Sequence, residues 1–248
     1  MDEKLDQLIR WYHHSPRVLE AHLLRGQAAL HFGLFNKALN ELEGVWKESV
    51  PNDFVADGLY WTGEIYLKAK DFKQAKVFYQ RVMNEYPQHA LTRFALFGAA
   101  NAAQLDGDWK DALKTYEQFL ERFPKGDLYT DVQIGAGESL YQLKRYEESS
   151  RVLSELLASG TANDSQRGKI LFLLVQVLYS QKEYEKVISL LEHRITEAGS
   201  REWILPAHYP LAWAYLQSQD YQKAVDSFRQ FTELTEKNSF MEGAVFGT

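Results

Sequence analysis

Polar side chains recur along this chain at a regular interval of 37 or 38 residues. Gln27, Glu64, Asn101, Glu138 and Gln176 are the first five members of this polar column. Their amide and carboxylate groups are suited to hydrogen-bond the backbone of a bound peptide. Because Gln, Glu and Asn are mostly left exposed when a chain folds, the column predicts a polar face on the surface.

Residues that are apolar or aromatic, with Gln104 as the one exception, flank the polar column four positions before it and three positions after it. Aromatic rings offer large contact areas, so rings beside polar groups suit the binding of a peptide or a helix. The alternative interpretation is that several of these rings pack in the core between neighbouring elements. The flanking residues are Leu23, Tyr60, Phe97, Ile134, Phe172 and Tyr209 before the column, and Leu30, Leu67, Gln104, Tyr141, Tyr179 and Leu216 after it.

The residue types that support catalysis or metal binding lack the spacing that such chemistry needs. The sequence has no cysteine, which excludes a thiolate nucleophile and a Cys-ligated metal. None of the seven histidines has the HExxH spacing, and we expect them to be surface residues. Gly135 and Gly137 resemble part of a phosphate loop but fall inside a predicted helix, so we expect them to serve packing. We therefore predict no catalytic residue, no metal site and no cofactor.

Charge and hydropathy exclude two classes of partner. The formal net charge is −6, which disfavours binding to a nucleic-acid backbone. The longest apolar stretch, residues 170–179, is about half of what a membrane-spanning helix needs. We expect neither nucleic-acid binding nor membrane insertion by this chain.

The elements that must hold these residues repeat with the same period. Two columns of small or β-branched residues stand twelve positions apart in each repeat, and self-similarity at a fixed period indicates a repeat array. Apolar residues recur at three- and four-residue steps, so each repeat is predicted to form two amphipathic helices that cross where the small residues meet. The columns are Gly26, Gly63, Ala100, Gly137, Val175 and Ala212, followed by Ala38, Ala75, Ala112, Ser149, Val187 and Ala224.

Repeat two carries a recognisable pattern. Leu59, Gly63 and Tyr66 fall in its first predicted helix, Tyr79 falls in the second, and Pro87 follows. This pattern resembles the tetratricopeptide repeat. Repeats two and three are also similar to those of bacterial envelope members of that family, namely the Tol-Pal-associated periplasmic protein and the outer-membrane assembly lipoprotein. The resemblance implies a periplasmic or cell-envelope location, with the cytoplasm as the alternative.

The resemblance implies an all-α fold, a right-handed α-solenoid of six helix pairs with a period of about 37 residues. We expect the array over residues 18–239, a partial preceding repeat or capping helix at 1–17, and the start of a truncated further helix or a tail at 240–248. We also expect the chain to be an excised piece of a longer array. The predicted repeats cover about residues 18–51, 55–88, 92–125, 129–161, 167–198 and 204–238.

Two repeats depart from the pattern. Val175 and Val187 occupy both crossing positions of the fifth repeat, which predicts that its helices stand slightly further apart. Pro206 and Pro210 predict a late or irregular start for the first helix of the sixth repeat.

In tetratricopeptide proteins the first helices line a concave groove, and the resemblance implies that this chain binds a partner there. The function we expect is a non-catalytic scaffold that holds a peptide or helix of a protein partner. The alternative is a regulatory or substrate-docking arm of a larger enzyme, and self-association through exposed array ends is a further expectation. The predicted groove residues are Tyr60, Glu64, Phe97, Asn101, Glu138, Tyr141, Gln176 and Tyr179.

Overall fold

The computed structural model describes Lys4, Gln7 and Trp11 together with residues 17–47, 53–197 and 204–245. These described ranges form twelve α-helices and no strand, which confirms the predicted all-α fold of helix pairs. Most of residues 1–17, where a partial repeat or cap was predicted, lies outside them. The helices are α1 Arg17–His31, α2 Phe35–Trp46, α3 Asp53–Lys68, α4 Phe72–Glu85, α5 Thr92–Leu105, α6 Trp109–Arg122, α7 Tyr129–Gln142, α8 Tyr146–Ala158, α9 Asp164–Ser180, α10 Tyr184–Glu197, α11 Ile204–Gln217 and α12 Tyr221–Val245.

The helices belong to two compact units, Met1–Leu143 and Lys144–Thr248. In the first unit each second helix packs against its own first helix and against the first helix of the next repeat. The first helices α1, α3, α5 and α7 also contact one another in chain order. They therefore form one continuous layer in this unit.

Close helix crossings in the first unit depend on the small residues of the columns. A Cβ added to Gly26 would stand 2.6 Å from the Leu42 side chain, and one added to Gly63 would stand 2.7 Å from the Tyr79 ring. Real Cβ atoms do not approach other atoms this closely. The first helix can lie against the second only because the side chain is absent.

The turn inside each repeat contains one residue in the left-handed region of backbone space. In the second repeat this residue is Lys70, with φ 62°, and the following Asp71 caps α4 by accepting a hydrogen bond from the Gln74 backbone N–H at 3.1 Å. The Asp71 N–H donates back to the Tyr66 carbonyl at 2.9 Å, as a left-handed residue after a helix allows. The left-handed turn residues are Gly33, Lys70, Gly107, Lys144, Lys182 and Gln219.

In the second unit, the fifth helix pair is less closely packed than the sixth. The backbones of α9 and α10 approach within 8 Å over far fewer residues than those of the first, second, third and sixth pairs. This agrees with the wider separation predicted from Val175 and Val187. A small apolar cavity of about 90 Å³ lies beside Val175, between α9, α10 and α11.

The last two helices differ in part from the expectations for this end of the chain. α11 begins at Ile204 and runs through both Pro206 and Pro210, rather than starting late. Pro206 lies in the first turn, where a backbone N–H has no partner inside the helix, so only Pro210 removes a helical hydrogen bond. α12 continues to Val245 without a break, so residues 240–245, expected to be the start of a further helix or a tail, extend the second helix.

Candidate partner-binding surfaces

Tyr79 is the central side chain of the first unit. Its ring is fully buried between α3 and α5, where it faces the backbones of Gly63 and Gly98. Its hydroxyl donates a hydrogen bond of 2.6 Å to the Glu64 carboxylate on α3. The ring therefore fills the space between two first helices, while the hydroxyl reaches the polar column.

Tyr60 lies one helical turn earlier on α3, where the negative charge of Glu64 acts on its hydroxyl. Burial, followed by the nearby negative charge of Glu64, raises the pKa of both Tyr60 and Tyr79 above the ordinary value of 10.0. Both hydroxyls thus stay protonated as donors at neutral pH. The hydrogen bond from Tyr79 holds the half-buried Glu64 carboxylate in one orientation.

Tyr116 occupies the position equivalent to Tyr79 in the third repeat, but its hydroxyl has a different acceptor. It donates to Gln104 Oε1 at 2.8 Å, and the Gln104 side-chain amide donates to the Glu138 carboxylate at 2.8 Å. Burial, together with the charge of Glu138, raises the pKa of Tyr116. Because Gln104 lies on α5 and Glu138 on α7, the chain of hydrogen bonds joins two successive first helices.

The remaining predicted groove residues of the first unit are Phe97, Asn101 and Tyr141, and all three are half-buried. The Phe97 ring lies 6.4 Å from the Tyr116 ring, and Tyr60 lies 5.9 Å from Tyr79. These aromatic residues therefore serve partly in packing, as the alternative interpretation stated. Leu23 and Ile134, at the same repeat position, are buried.

Gln176 and Tyr179 are the two predicted groove residues that lie in the second unit, where both are half-buried on α9. The Tyr179 hydroxyl donates to the backbone carbonyl of Pro210 on α11. Its ring centroid is 5.7 Å from that of Tyr184. Burial raises the pKa of Tyr179, so this donor also remains protonated at neutral pH.

An aromatic cleft of about 370 Å³ opens beside Tyr179 in the second unit. Tyr209 and Trp213 on α11 form part of its wall, and their exposed fractions are 49% and 39%. Phe172, also on α9, is 64% exposed and lines the small apolar cavity beside Val175. The residues that line the aromatic cleft are Tyr179, Tyr184, Tyr209, Pro210, Trp213 and Gln217.

The predicted groove set included Tyr179 but omitted Tyr184, Tyr209 and Trp213. One signal was available in the sequence. Trp213 occupies the sixth position of the polar column, where the other five repeats carry an amide or a carboxylate. An aromatic residue at a position that is polar in the other repeats indicates that this part of the surface contacts a different kind of group.

The expectation that all histidines lie at the surface is wrong for His208. This residue is 6% exposed, and its Nδ1 atom has no hydrogen-bond partner. His22 is half-buried and contacts the Glu41 carboxylate at 2.7 Å. Across the described ranges, no group of three or more His, Cys, Asp or Glu side chains is placed to hold a metal ion.

Gly135 has the packing role expected for it. A Cβ at this position would stand 2.4 Å from the Tyr116 ring, so the glycine accommodates Tyr116 just as Gly98 accommodates Tyr79. Among the helices within the described residues, none has the length and hydrophobicity needed to span a bilayer.

Two family models, both described as tetratricopeptide repeat, match parts of this chain. One matches residues 57–89 and 94–126, and the other matches residues 205–238. The first two matches cover α3 to α6, and the third covers α11 and much of α12. No match was found among curated proteins.

Several solved structures share the fold. A tetratricopeptide repeat protein from Parabacteroides merdae ATCC 43184 has a TM-score of 0.60 at 15% identity, over 94% of this chain and 84% of that chain. BtubC from P. vanneervenii has a TM-score of 0.63 at 13% identity, over 89% and 92%. MamA from Desulfovibrio magneticus RS-1 has a TM-score of 0.61 at 16% identity, over 76% and 98%.

At such low identity these similarities establish the fold alone. Together with the family matches and the helix pairs, they show that this chain contains tetratricopeptide repeats arranged as an all-α solenoid.

Proposed function

We propose that this chain is a non-catalytic protein-interaction scaffold that binds a peptide or helix of a partner on the exposed faces of its first helices. The observation that carries this proposal is the exposure of the polar column. Each of its members, including Trp213 in the sixth repeat, is partly or largely accessible. In the first unit the column follows the continuous layer of first helices, so its groups are available to one bound segment.

The chemistry of the column suits the backbone of a peptide. Glu64 accepts a hydrogen bond from Tyr79, and a carboxylate offers about four acceptor sites, so it can still accept from a partner N–H group. Asn101, between Glu64 and Glu138 in the column, offers both a donor and an acceptor. Because hydrogen bonds already orient both carboxylates, binding would order few additional side chains.

Asn101→Arg provides the direct test of this surface. Asn101 is half-buried on α5 and takes no part in the hydrogen bonds of Tyr79 or Tyr116. A long cationic side chain at this position should therefore block a bound segment without removing a buried hydrogen bond. Glu64 and Glu138 are less suitable targets, since their replacement would leave buried donors without acceptors. Gln118→Arg, an exposed position on α6, is the matched control.

The experiment is affinity capture from the native organism, followed by titration of each purified partner. We expect Asn101→Arg to abolish binding and Gln118→Arg to retain it, with both variants melting close to the wild-type temperature. Equal binding by the two variants would mean that the partner does not use the first-helix surface of the first unit.

We also propose that the complex belongs to the bacterial cell envelope. The similarity of repeats two and three to envelope proteins is the only support for this location. Fractionation of native cells with an antibody against the chain tests it, and recovery of the protein with cytosolic markers would exclude it.

A further inference from the structure

We propose that the aromatic cleft of the second unit binds an arginine side chain of the partner segment. This inference rests on the proposed scaffold function, and it specifies the chemistry of one anchor on the partner. The cleft combines four aromatic rings from three helices, one proline and one side-chain amide. Aromatic faces carry negative charge density and attract cations that approach within about 6 Å of the ring centroid.

The rings of the cleft are held in place before any ligand binds. The ring centroid of Tyr209 lies 5.4 Å from that of Phe231 and 6.2 Å from that of Phe228, both on α12. The ring centroid of Trp213 lies 5.8 Å from that of Phe228. Tyr179 is fixed by its hydrogen bond to the Pro210 carbonyl. Because α12 supports the exposed rings from behind, ligand binding needs little reorganisation of the cleft.

The first unit already pairs guanidinium groups with aromatic rings. The Cζ atoms of Arg81, Arg93 and Arg122 lie 5.4, 4.7 and 5.3 Å from ring centroids. Their respective partners are Trp46, Phe94 and Phe123. None of the four cleft rings carries such a cation from the described part of the chain. A partner's arginine would supply the interaction that these rings lack.

Several observations favour arginine over other occupants. The lining contains no carboxylate, so a strongly hydrated lysine ammonium would lose water without gaining an ion pair. A guanidinium is more weakly hydrated and stacks on aromatic faces, and its N–H groups can donate to the Tyr179 hydroxyl oxygen and the Gln217 side-chain oxygen. The net charge of −6 favours the approach of a basic segment.

The test uses the full chain and short capped peptides that differ at a single central residue, namely arginine, lysine, citrulline, proline or leucine. Binding is followed by NMR through the Trp213 indole N–H resonance, which is assigned with Trp213→Phe. We expect a saturable shift with the arginine peptide, with a Kd in the millimolar range. Citrulline keeps the shape and most donors of arginine but has no charge, so its peptide should bind at least 5-fold more weakly, as expected for the loss of about 1 kcal/mol of cation–π attraction.

Variants of the cleft complete the test. Trp213→Ala and Tyr209→Ala should each weaken arginine-peptide binding by roughly 5- to 30-fold, with binding followed by resonances of the other cleft residues. Trp213→Phe should restore part of the affinity, because it keeps an aromatic face. Tyr221→Ala removes an exposed ring outside the lining and should leave binding unchanged.

Three results would overturn this proposal: no saturable shift, equal binding of the citrulline peptide, or tighter binding of the proline or leucine peptide. Its failure can be separated from failure of the scaffold function. If a captured partner is lost with Asn101→Arg but unaffected by Trp213→Ala, the scaffold function stands and the arginine anchor does not. If the arginine peptide binds but no captured partner is affected by Asn101→Arg, the cleft binds arginine and the proposed scaffold surface fails.

Discussion

The ring of Tyr79 lies against the backbone of Gly98 in the next repeat, where an added Cβ would stand 2.6 Å from the ring carbon Cζ. The same ring faces Gly63 in its own repeat. Two glycines 35 residues apart thus enclose one aromatic side chain. This arrangement joins neighbouring repeats and also brings the Tyr79 hydroxyl within hydrogen-bonding distance of Glu64.

We expect Gly98→Ala to destabilise the first unit by about 1–3 kcal/mol, the usual cost of overpacking a filled core. The new methyl group would meet the Tyr79 ring, which cannot move away because Gly63 bounds it on the other side. Urea denaturation followed by circular dichroism measures the change. Tyr79→Leu removes the ring that the new methyl group would meet. Adding Gly98→Ala to the Tyr79→Leu variant should therefore cost less stability than adding it to the wild type.

Gly168→Ala is the matched control for this substitution. Gly168 also lies inside a helix, but no atom stands within 4 Å of an added Cβ. Alanine favours helix over glycine by up to about 1 kcal/mol, so this variant should be neutral or more stable than wild type. Equal destabilisation by the two substitutions would show that Tyr79 does not restrict Gly98.

The buried tyrosines predict a loss of stability at alkaline pH. The pKa of Tyr60 and of Tyr79 is raised in the folded state, so the unfolded chain releases these protons at a lower pH than the folded chain does. Their contribution to stability is therefore complete below pH 10.0 and is lost as the pH rises above that value. Tyr79→Phe should flatten this decline, whereas Tyr221→Phe, at an exposed position, should not.

Chemical denaturation at a series of pH values above neutrality measures this dependence. Tyr79→Phe also removes a hydrogen bond to a charged acceptor, which contributes about 1.5–3 kcal/mol. It should therefore be less stable than wild type at neutral pH, with the difference narrowing as the pH rises. A constant difference across the alkaline range would mean that the Tyr79 hydroxyl titrates normally in the folded protein.

Much of the fold could be predicted from the sequence. At each repeated close contact between helices, a larger side chain would clash, so the residue type there is restricted. A glycine such as Gly26 or Gly63 marks a close helix crossing, and its recurrence at a fixed period revealed the pairs. The turns were predictable for a similar reason, since Gly33 and Gly107 stand where a positive φ is required.

The candidate surfaces were less predictable because exposure depends on which side chain comes from the neighbouring helix. Tyr60 and Phe97 are half-buried against Tyr79 and Tyr116. In the fifth repeat the residue equivalent to these tyrosines is Leu191, and Phe172 remains largely exposed. The sequence spacing places all three aromatic residues at the same repeat position. It does not show which of them pack against a neighbouring ring and which remain exposed.

Left-handed turn residues other than glycine offer a route to higher stability. Lys70 and Lys144 adopt φ values of 62° and 61°, which cost an L-residue with a side chain roughly 1–2 kcal/mol relative to ordinary backbone regions. We expect Lys70→Gly to stabilise the protein by up to about 1 kcal/mol, because glycine avoids the strain but loses more entropy on folding. The melting temperature measures the change.

Gly107 occupies the same turn position in the third repeat, with φ 82°, and provides the reciprocal test. Gly107→Lys should destabilise the protein by an amount similar to the gain from Lys70→Gly. No atom lies near an added Cβ at Gly107, so backbone strain is the only expected cause. If backbone strain is the cause, Lys70→Gly raises stability and Gly107→Lys lowers it. Changes in stability of the same sign would contradict this explanation.

His208 predicts a loss of stability of the second unit in acid. Burial lowers the pKa of this imidazole below 6.5, so the unfolded chain binds the proton at a higher pH than the folded chain does. The contribution to stability is present above pH 6.5 and is lost as the pH falls through the lower, folded-state pKa. His208→Leu should remove this dependence, and because Nδ1 has no hydrogen-bond partner, it should cost little stability at neutral pH. Denaturation curves between neutral pH and acid test this, with His31→Gln, at an exposed position, as the control; a wild-type slope retained in His208→Leu would assign the acid sensitivity to another group.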